Sequence, residues 1–291
     1  MWTAEHVVRV LRERGELWEA APGLIGLRGD VLGLHRALGQ AIARLAAAET
    51  DEEWLVPAGL GFETLVRAGY FQSFPQWLTA ASHLSDEPGV LEWVATDADP
   101  AAAARRALAP ADAALPPAVC YHVYARLAGR TLTGGRPEVL TAQGTCWRHE
   151  GERLAPLGRG WAFTMREIVC VGSRDAVEAF RQRGIGRATA LAGALGLGGN
   201  VVPASDPFFA PTARGKALVQ QLKALKDELM LGGLAAASFN NHETFFGDAF
   251  AIRLEDGAPA ASACVAFGVE RWTLAFLLAH GPDAERWPVV D

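Results

Sequence analysis

An arginine and a glutamate stand two residues apart in Thr145-Cys146-Trp147-Arg148-His149-Glu150, and a second arginine answers them far downstream in Gly268-Val269-Glu270-Arg271. On a strand, residues two apart share a face. Arg148 can then grip a phosphate through its guanidinium fork while Glu150 accepts a hydrogen bond from an adenine amino group. Arg271, entering from a helix start, can clamp the nucleotide from the other side. These are residue types that activate a carboxylate with ATP. The plain alternatives are an exposed cross-strand ion pair for Arg148 and Glu150 and a surface helix arginine for Arg271.

Such side chains need a scaffold. Half of the 291 residues are hydrophobic, enough for one large domain with a full core or two small ones. Leu34, Leu38, Ile42 and Leu45 recur at helical spacing and predict a helix over 31–48; a shorter amphipathic helix is expected over 8–18. Further helices are expected over 98–114, 175–197 (with a possible break at Gly184-Ile185-Gly186), 211–227 and 269–279. Strands are expected over 54–57, 118–127, 140–150, 161–171, 228–231, 235–240, 249–254 and 261–267. The glycine-rich 151–160 reads as the loop of a hairpin and 198–210 as an irregular connection. Gly196 to Asn200 fits no phosphate-loop pattern. Hairpins and long insertions link the strands, without regular βαβ alternation. That predicts an α+β fold, an antiparallel sheet flanked by helices, with 1–291 as one catalytic domain.

Composition narrows the class. No apolar run reaches the ~18 residues of a membrane helix, and the charged first residues lack the core of a secretion signal. A cytoplasmic protein is expected. A net charge of −6 gives no general attraction to nucleic acid. The four cysteines (Cys120, Cys146, Cys170, Cys264) form no C-x-x-C pair, so core thiols or a metal site assembled from distant positions are the two readings. Three lysines stand against 24 arginines, and Lys216, Lys223 and Lys226 fall in one segment.

The pattern resembles the catalytic core of class II aminoacyl-tRNA synthetases, in particular seryl-tRNA synthetase. Three motifs carry the resemblance nearly end to end. They are the helix 31–48 followed by the proline-closed strand 54–57, the Arg148-His149-Glu150 hairpin returning through Phe163-Thr164-Met165-Arg166-Glu167, and Gly268-Val269-Glu270-Arg271. The long helical arm with which seryl-tRNA synthetases grip tRNA has no counterpart, since about two dozen residues precede the core. The chain therefore resembles the truncated homologues, the amino acid:[carrier protein] ligases, and tRNA is not an expected partner.

The resemblance implies ATP-dependent activation of glycine or alanine and transfer to the phosphopantetheine thiol of a small acidic carrier protein, by a homodimer joined through the first motif. It implies one zinc ion per subunit on Cys120, Glu167 and Cys264, with Glu167 also contacting substrate. From strand parity, Phe163 and Glu167 share a face and Cys170 points away, but Cys146 stays open beside Cys120; only the resemblance selects Cys120. ATP with Mg2+ would meet Arg148, Glu150, Arg159, Phe163, Lys223, Arg271 and the segment Ser238-Phe239-Asn240-Asn241. Ala235 falls where seryl-tRNA synthetases carry an acidic magnesium ligand. Arg214 and Lys216 on the basic helix 211–227 would receive the carrier, although a solvated helix face is the ordinary meaning of such charges. Two other functions fit these residues: a seryl-type tRNA-charging enzyme with a separate tRNA-binding partner, and a synthetase-like regulator that binds an amino acid without activating it.

Overall fold

A computed structural model describes residues 2–209 and 225–290. Its centre is a seven-stranded sheet. Numbered in chain order, the strands are β1 (Glu53–Leu55), β2 (Glu138–Trp147), β3 (Ala162–Gly172), β4 (Gly199–Pro203), β5 (Lys226–Leu231), β6 (Leu234–Glu243) and β7 (Ala261–Gly268). Their order across the sheet is β4-β5-β6-β7-β3-β2-β1. Neighbours run antiparallel except β1 beside β2. Gly232 and Gly233, at φ +55° and +81°, make the tight β5–β6 turn, a shape that L side chains resist.

The two-residue period of the strands divides the core. Ile168, Cys170, Phe239, Val265 and Phe267 face one side, packed with apolar residues of the helices Gly29–Ala47, Arg174–Ala194 and Val269–His280. Val169, Val171 and Cys264 face the other, against the short helices Cys120–Leu127 and Phe245–Ala249. The second face carries the cavity described below.

The helix over 175–197 is unbroken, from Arg174 to Ala194. Gly184 serves contact instead. A Cβ there would stand 2.5 Å from Val265 Cγ2 in the packed core. Gly184→Ala gains about 1 kcal/mol of helix propensity but meets an overpacking cost of about 1–3 kcal/mol. We expect net destabilisation, seen as a lower urea midpoint with an unchanged slope. A raised midpoint would show that Val265 yields.

Several expected elements are corrected. Residues 118–127 form a helix from Cys120, not a strand. Its residues are almost all buried, so no polar face marks the helical period, and neighbouring buried and polar types imitate alternation. The first helix is Ala4–Glu13, capped by Thr3, which accepts a hydrogen bond from the His6 N–H. The strand Leu17–Ala21 follows it. Within 98–114 the helix covers only Pro100–Arg106, and Ala113–Leu115 is a short strand. The helix Phe245–Ala249 precedes a two-residue strand, Arg253–Leu254, where one strand over 249–254 was expected. The connection 198–210, expected to be irregular, contributes edge strand β4. The expected basic helix 211–227 lies outside the described residues up to 224; beyond that, Lys226 and Asp227 open β5.

Candidate active site

One cavity opens on the second face of the sheet, and strand parity explains its floor. Phe163, Met165 and Glu167 of β3, Cys264, Ala266 and Gly268 of β7, and Ser238, Asn240 and His242 of β6 all line it at every second position. Register sets their order along the floor: Glu167 stands opposite Ala266 and Cys264 opposite Asn240. Glu167 and Cys264 are therefore diagonal neighbours on adjacent strands.

Cys120 completes a cluster with them. The sulfurs of Cys120 and Cys264 and a carboxylate oxygen of Glu167 lie within 4.8 Å of one another, all buried. The Cys120 N–H, at its helix start, donates to Glu167 Oε2 at 2.5 Å. The neighbouring Cys120 thiol, with help from His242 and Asn240, holds Cys264 well below the usual thiol range. Cys120 is raised in return, by Cys264 and by burial. Burial and the Cys264 charge push Glu167 up to about 8. Two cysteines and a carboxylate in a buried recess match the donor set of a zinc site with one position left open. Cys146 is excluded from it: that thiol is buried beside Met165, 3.9 Å away. Cys170 lies in the core of the opposite face.

Toward the other end stand the arginines. β2 stops at Trp147, so Arg148 and Glu150 lie past the strand rather than on it. Arg148 keeps one ladder bond, its N–H donating to Trp161 O at 2.8 Å. Its guanidinium lies against the rings of Trp77 and Phe163, 5.2 and 5.4 Å from their centroids, with Nε donating to Pro117 O at 2.9 Å. Arg271, in the first turn of Val269–His280, donates from Nε to Gly158 O and from Nη1 to Ala235 O, both at 2.9 Å. Burial, then Arg148 and Arg159, press its pKa down. Among the described residues neither Arg148 nor Arg271 forms an ion pair. Two cations aimed into one cavity without a carboxylate partner make a place for an anion. Glu150 is paired with Arg159 across the hairpin loop.

Two expected positions face away. Phe239 is fully buried in the core under the helices, and Asn241 donates to Glu178 Oε2 at 2.9 Å. Period two allows only Ser238 and Asn240 of that segment to reach the cavity; Asn240 donates to Cys264 Sγ at 3.4 Å and to Ser238 Oγ at 3.2 Å. Arg214, Lys216 and Lys223 lie outside the described residues. Lys226 is buried on β5 at the cavity edge, bonded to Asp206 at 2.6 Å and Glu228 at 3.0 Å. Burial lowers its pKa, but these two acids more than offset it and hold the ammonium above its ordinary value.

His242, Trp77 and Phe246 escaped the sequence reading. His242 continues the parity of Ser238 and Asn240 and was legible had the strand been extended. Its Nδ1 meets Tyr124 Oη at 3.2 Å and Ser262 Oγ at 3.3 Å, and its Nε2 lies 3.9 Å from Cys264 Sγ. Trp77, on the turn Pro75–Trp77, and Phe246, on the short helix Phe245–Ala249, gave no such signal.

No family model matches the chain. Among curated proteins it is similar to amino acid–[acyl-carrier-protein] ligase 2 of Bradyrhizobium diazoefficiens, 34% identical over 275 residues, covering 92% of this chain and 81% of the relative. It is also similar to ligase 1 of that organism, 36% identical over 261 residues, covering 85% and 79%. A type-2 serine–tRNA ligase of Methanocaldococcus jannaschii is 25% identical over 280 residues, covering 89% of this chain but 53% of that enzyme. Among solved structures, M. kandleri SerRS in complex with A. aeolicus tRNASec superposes with a TM-score of 0.87 at 21% identity, over 98% of this chain and 59% of that one. Seryl-tRNA synthetase from Pyrococcus horikoshii complexed with ATP gives 0.70 at 14%, over 94% and 58%. The shared architecture is that of the class II synthetase catalytic domain.

Proposed function

Because the chain belongs to the amino acid–[acyl-carrier-protein] ligase family, we propose that it joins a small amino acid, glycine or alanine, to ATP as an aminoacyl-adenylate and passes it to the thiol of a carrier protein. The supporting observation is the convergence on one cavity of a Cys–Glu–Cys cluster and two arginines without carboxylate partners.

In the first step a carboxylate oxygen of the amino acid attacks the α-phosphorus of ATP, and the bond to the β-phosphate oxygen breaks to release pyrophosphate. Arg148 binds the carboxylate and α-phosphate oxygens as they meet, and Arg271 neutralises charge from the helix side. Phe163 offers a face to adenine, while Glu150 accepts from its amino group and Arg159 closes the loop over the phosphates. The protein supplies position and charge, not a covalent nucleophile, and positioning alone is worth roughly 7–11 kcal/mol. Zinc bound by Cys120, Glu167 and Cys264 would supply a Lewis-acid position for an unprotonated α-amine, which favours an amino acid over a plain acid. In the second step the phosphopantetheine sulfur attacks the acyl carbon, a thioester forms, AMP leaves, and the thiol proton passes to solvent.

Arg214 and Lys216 remain the proposed carrier-docking residues. The helix Gly29–Ala47 and edge strand β1, whose Leu55 is 97% exposed, are the proposed dimer face. Among the described residues no helix is long and apolar enough to cross a membrane; a cytoplasmic setting is proposed with the ATP and carrier chemistry. Amino acid-dependent exchange of pyrophosphate into ATP tests the reading. Glycine or alanine is expected to support exchange and then to load a phosphopantetheinylated carrier. Absence of exchange with every amino acid would sink it.

A further inference from the structure

The cluster end of the cavity is walled by aromatic rings. Phe246 lines it beside His242 and Cys264. Its ring stacks on Tyr124 at 4.0 Å and 14°, and meets Tyr121 and His242 edge-on at 6.2 and 4.8 Å. Tyr124 in turn holds His242, whose other nitrogen faces Cys264. Phe246 thus stands one side chain away from the group proposed to receive the amine.

This wall cannot retreat. The helix Phe245–Ala249 meets its neighbour backbone to backbone, so that a Cβ on Gly247 would lie 2.0 Å from Ala260 O. Phe250, fully buried, fills the space behind. With the amine held at the cluster and the carboxylate at Arg148, a substituent on the α-carbon must fit among what surrounds the cluster. A rigid, fully packed ring excludes added methylenes steeply, because the core cannot expand to admit them.

Resting on the ligase reading above, we infer that Phe246 sets the size limit of the substrate side chain, admitting hydrogen or one methyl and rejecting branched chains. The test compares wild type, Phe246→Ala and the milder Phe246→Leu in pyrophosphate exchange with glycine and with valine. Thermal shifts with glycyl- and valyl-sulfamoyl adenosine, stable mimics of the adenylate, and metal content are measured on the same samples. The ratio of kcat/KM for valine to that for glycine is expected to rise at least about tenfold on truncation. The valyl mimic should gain thermal shift relative to the glycyl one. If Phe246→Ala does not fold, Phe246→Leu carries the comparison. Unchanged ratios in folded, metal-loaded variants overturn the inference and leave the ligase reading standing. A wild-type protein that takes valine as readily as glycine does the same. A wild-type protein that exchanges with no amino acid overturns both.

Discussion

Arg148→Ala is expected to lower amino acid-dependent pyrophosphate exchange by roughly 10²–10³-fold, the size of effect seen when a preorganised donor to a developing negative charge is lost. Three contacts prepare this guanidinium before any nucleotide arrives: the ring of Trp77, the ring of Phe163 and the carbonyl of Pro117. They fix the plane of the fork, so little entropy remains to be lost when phosphate binds. Arg148→Lys should therefore fall nearly as far, since an ammonium carries the charge but neither the plane nor the paired donors. The loss should lie in kcat and in kcat/KM alike, because the charge being met develops in the transition state. Metal content should stay at the wild-type level, as Arg148 contributes no ligand to the cluster. An alanine variant with more than about a tenth of wild-type exchange would remove Arg148 from the chemistry.

The arrangement around Arg148 also shows what a sequence can and cannot convey. The cavity floor was legible because a two-residue period is local: once β3 is recognised, Phe163, Met165 and Glu167 must share a face and Cys170 must leave it. The same rule, applied strictly to β6, would have dismissed Phe239 and Asn241 and raised His242. Cys120 was legible only through the family resemblance, because its partners lie 47 and 144 positions away and no spacing rule spans such a distance. Its helix was mistaken for a strand for a related reason. A short segment that is almost wholly buried shows neither helical nor strand periodicity, and its conformation is decided by the sheet it packs on. Trp77 and Phe246 lie on the short turn Pro75–Trp77 and the short helix Phe245–Ala249, whose placement depends on the finished fold. Trp77, whose ring lies against Arg148, and Phe246 were therefore the least visible part of the site.

In the proposed reaction the arginine end of the cavity binds phosphate. The cluster end is proposed to receive the amino group, so its removal should separate nucleotide binding from activation. Cys264→Ala is expected to reduce bound metal to below about a tenth of the wild-type stoichiometry and to abolish exchange, while ATP binding persists. Two of three protein donors would remain, and the carboxylate among them is the one that burial already disfavours as an anion. Cys146→Ala is the control: that thiol sits in the core against Met165, outside the cluster, so the variant should keep its metal and its exchange. The pH dependence has a definite sign. Glu167 must be ionised to act as a ligand, and in the metal-free protein its pKa stands at about 8. Each pH unit below that value makes protons stronger competitors, so metal affinity should fall steadily from pH 8 toward pH 6 and metal uptake should release protons. Because metal binds the folded state, the melting temperature should rise with added zinc in wild type and Cys146→Ala and stay flat in Cys264→Ala. Retention of stoichiometric metal by Cys264→Ala, or its loss from Cys146→Ala, would show that the buried cluster is not the metal centre.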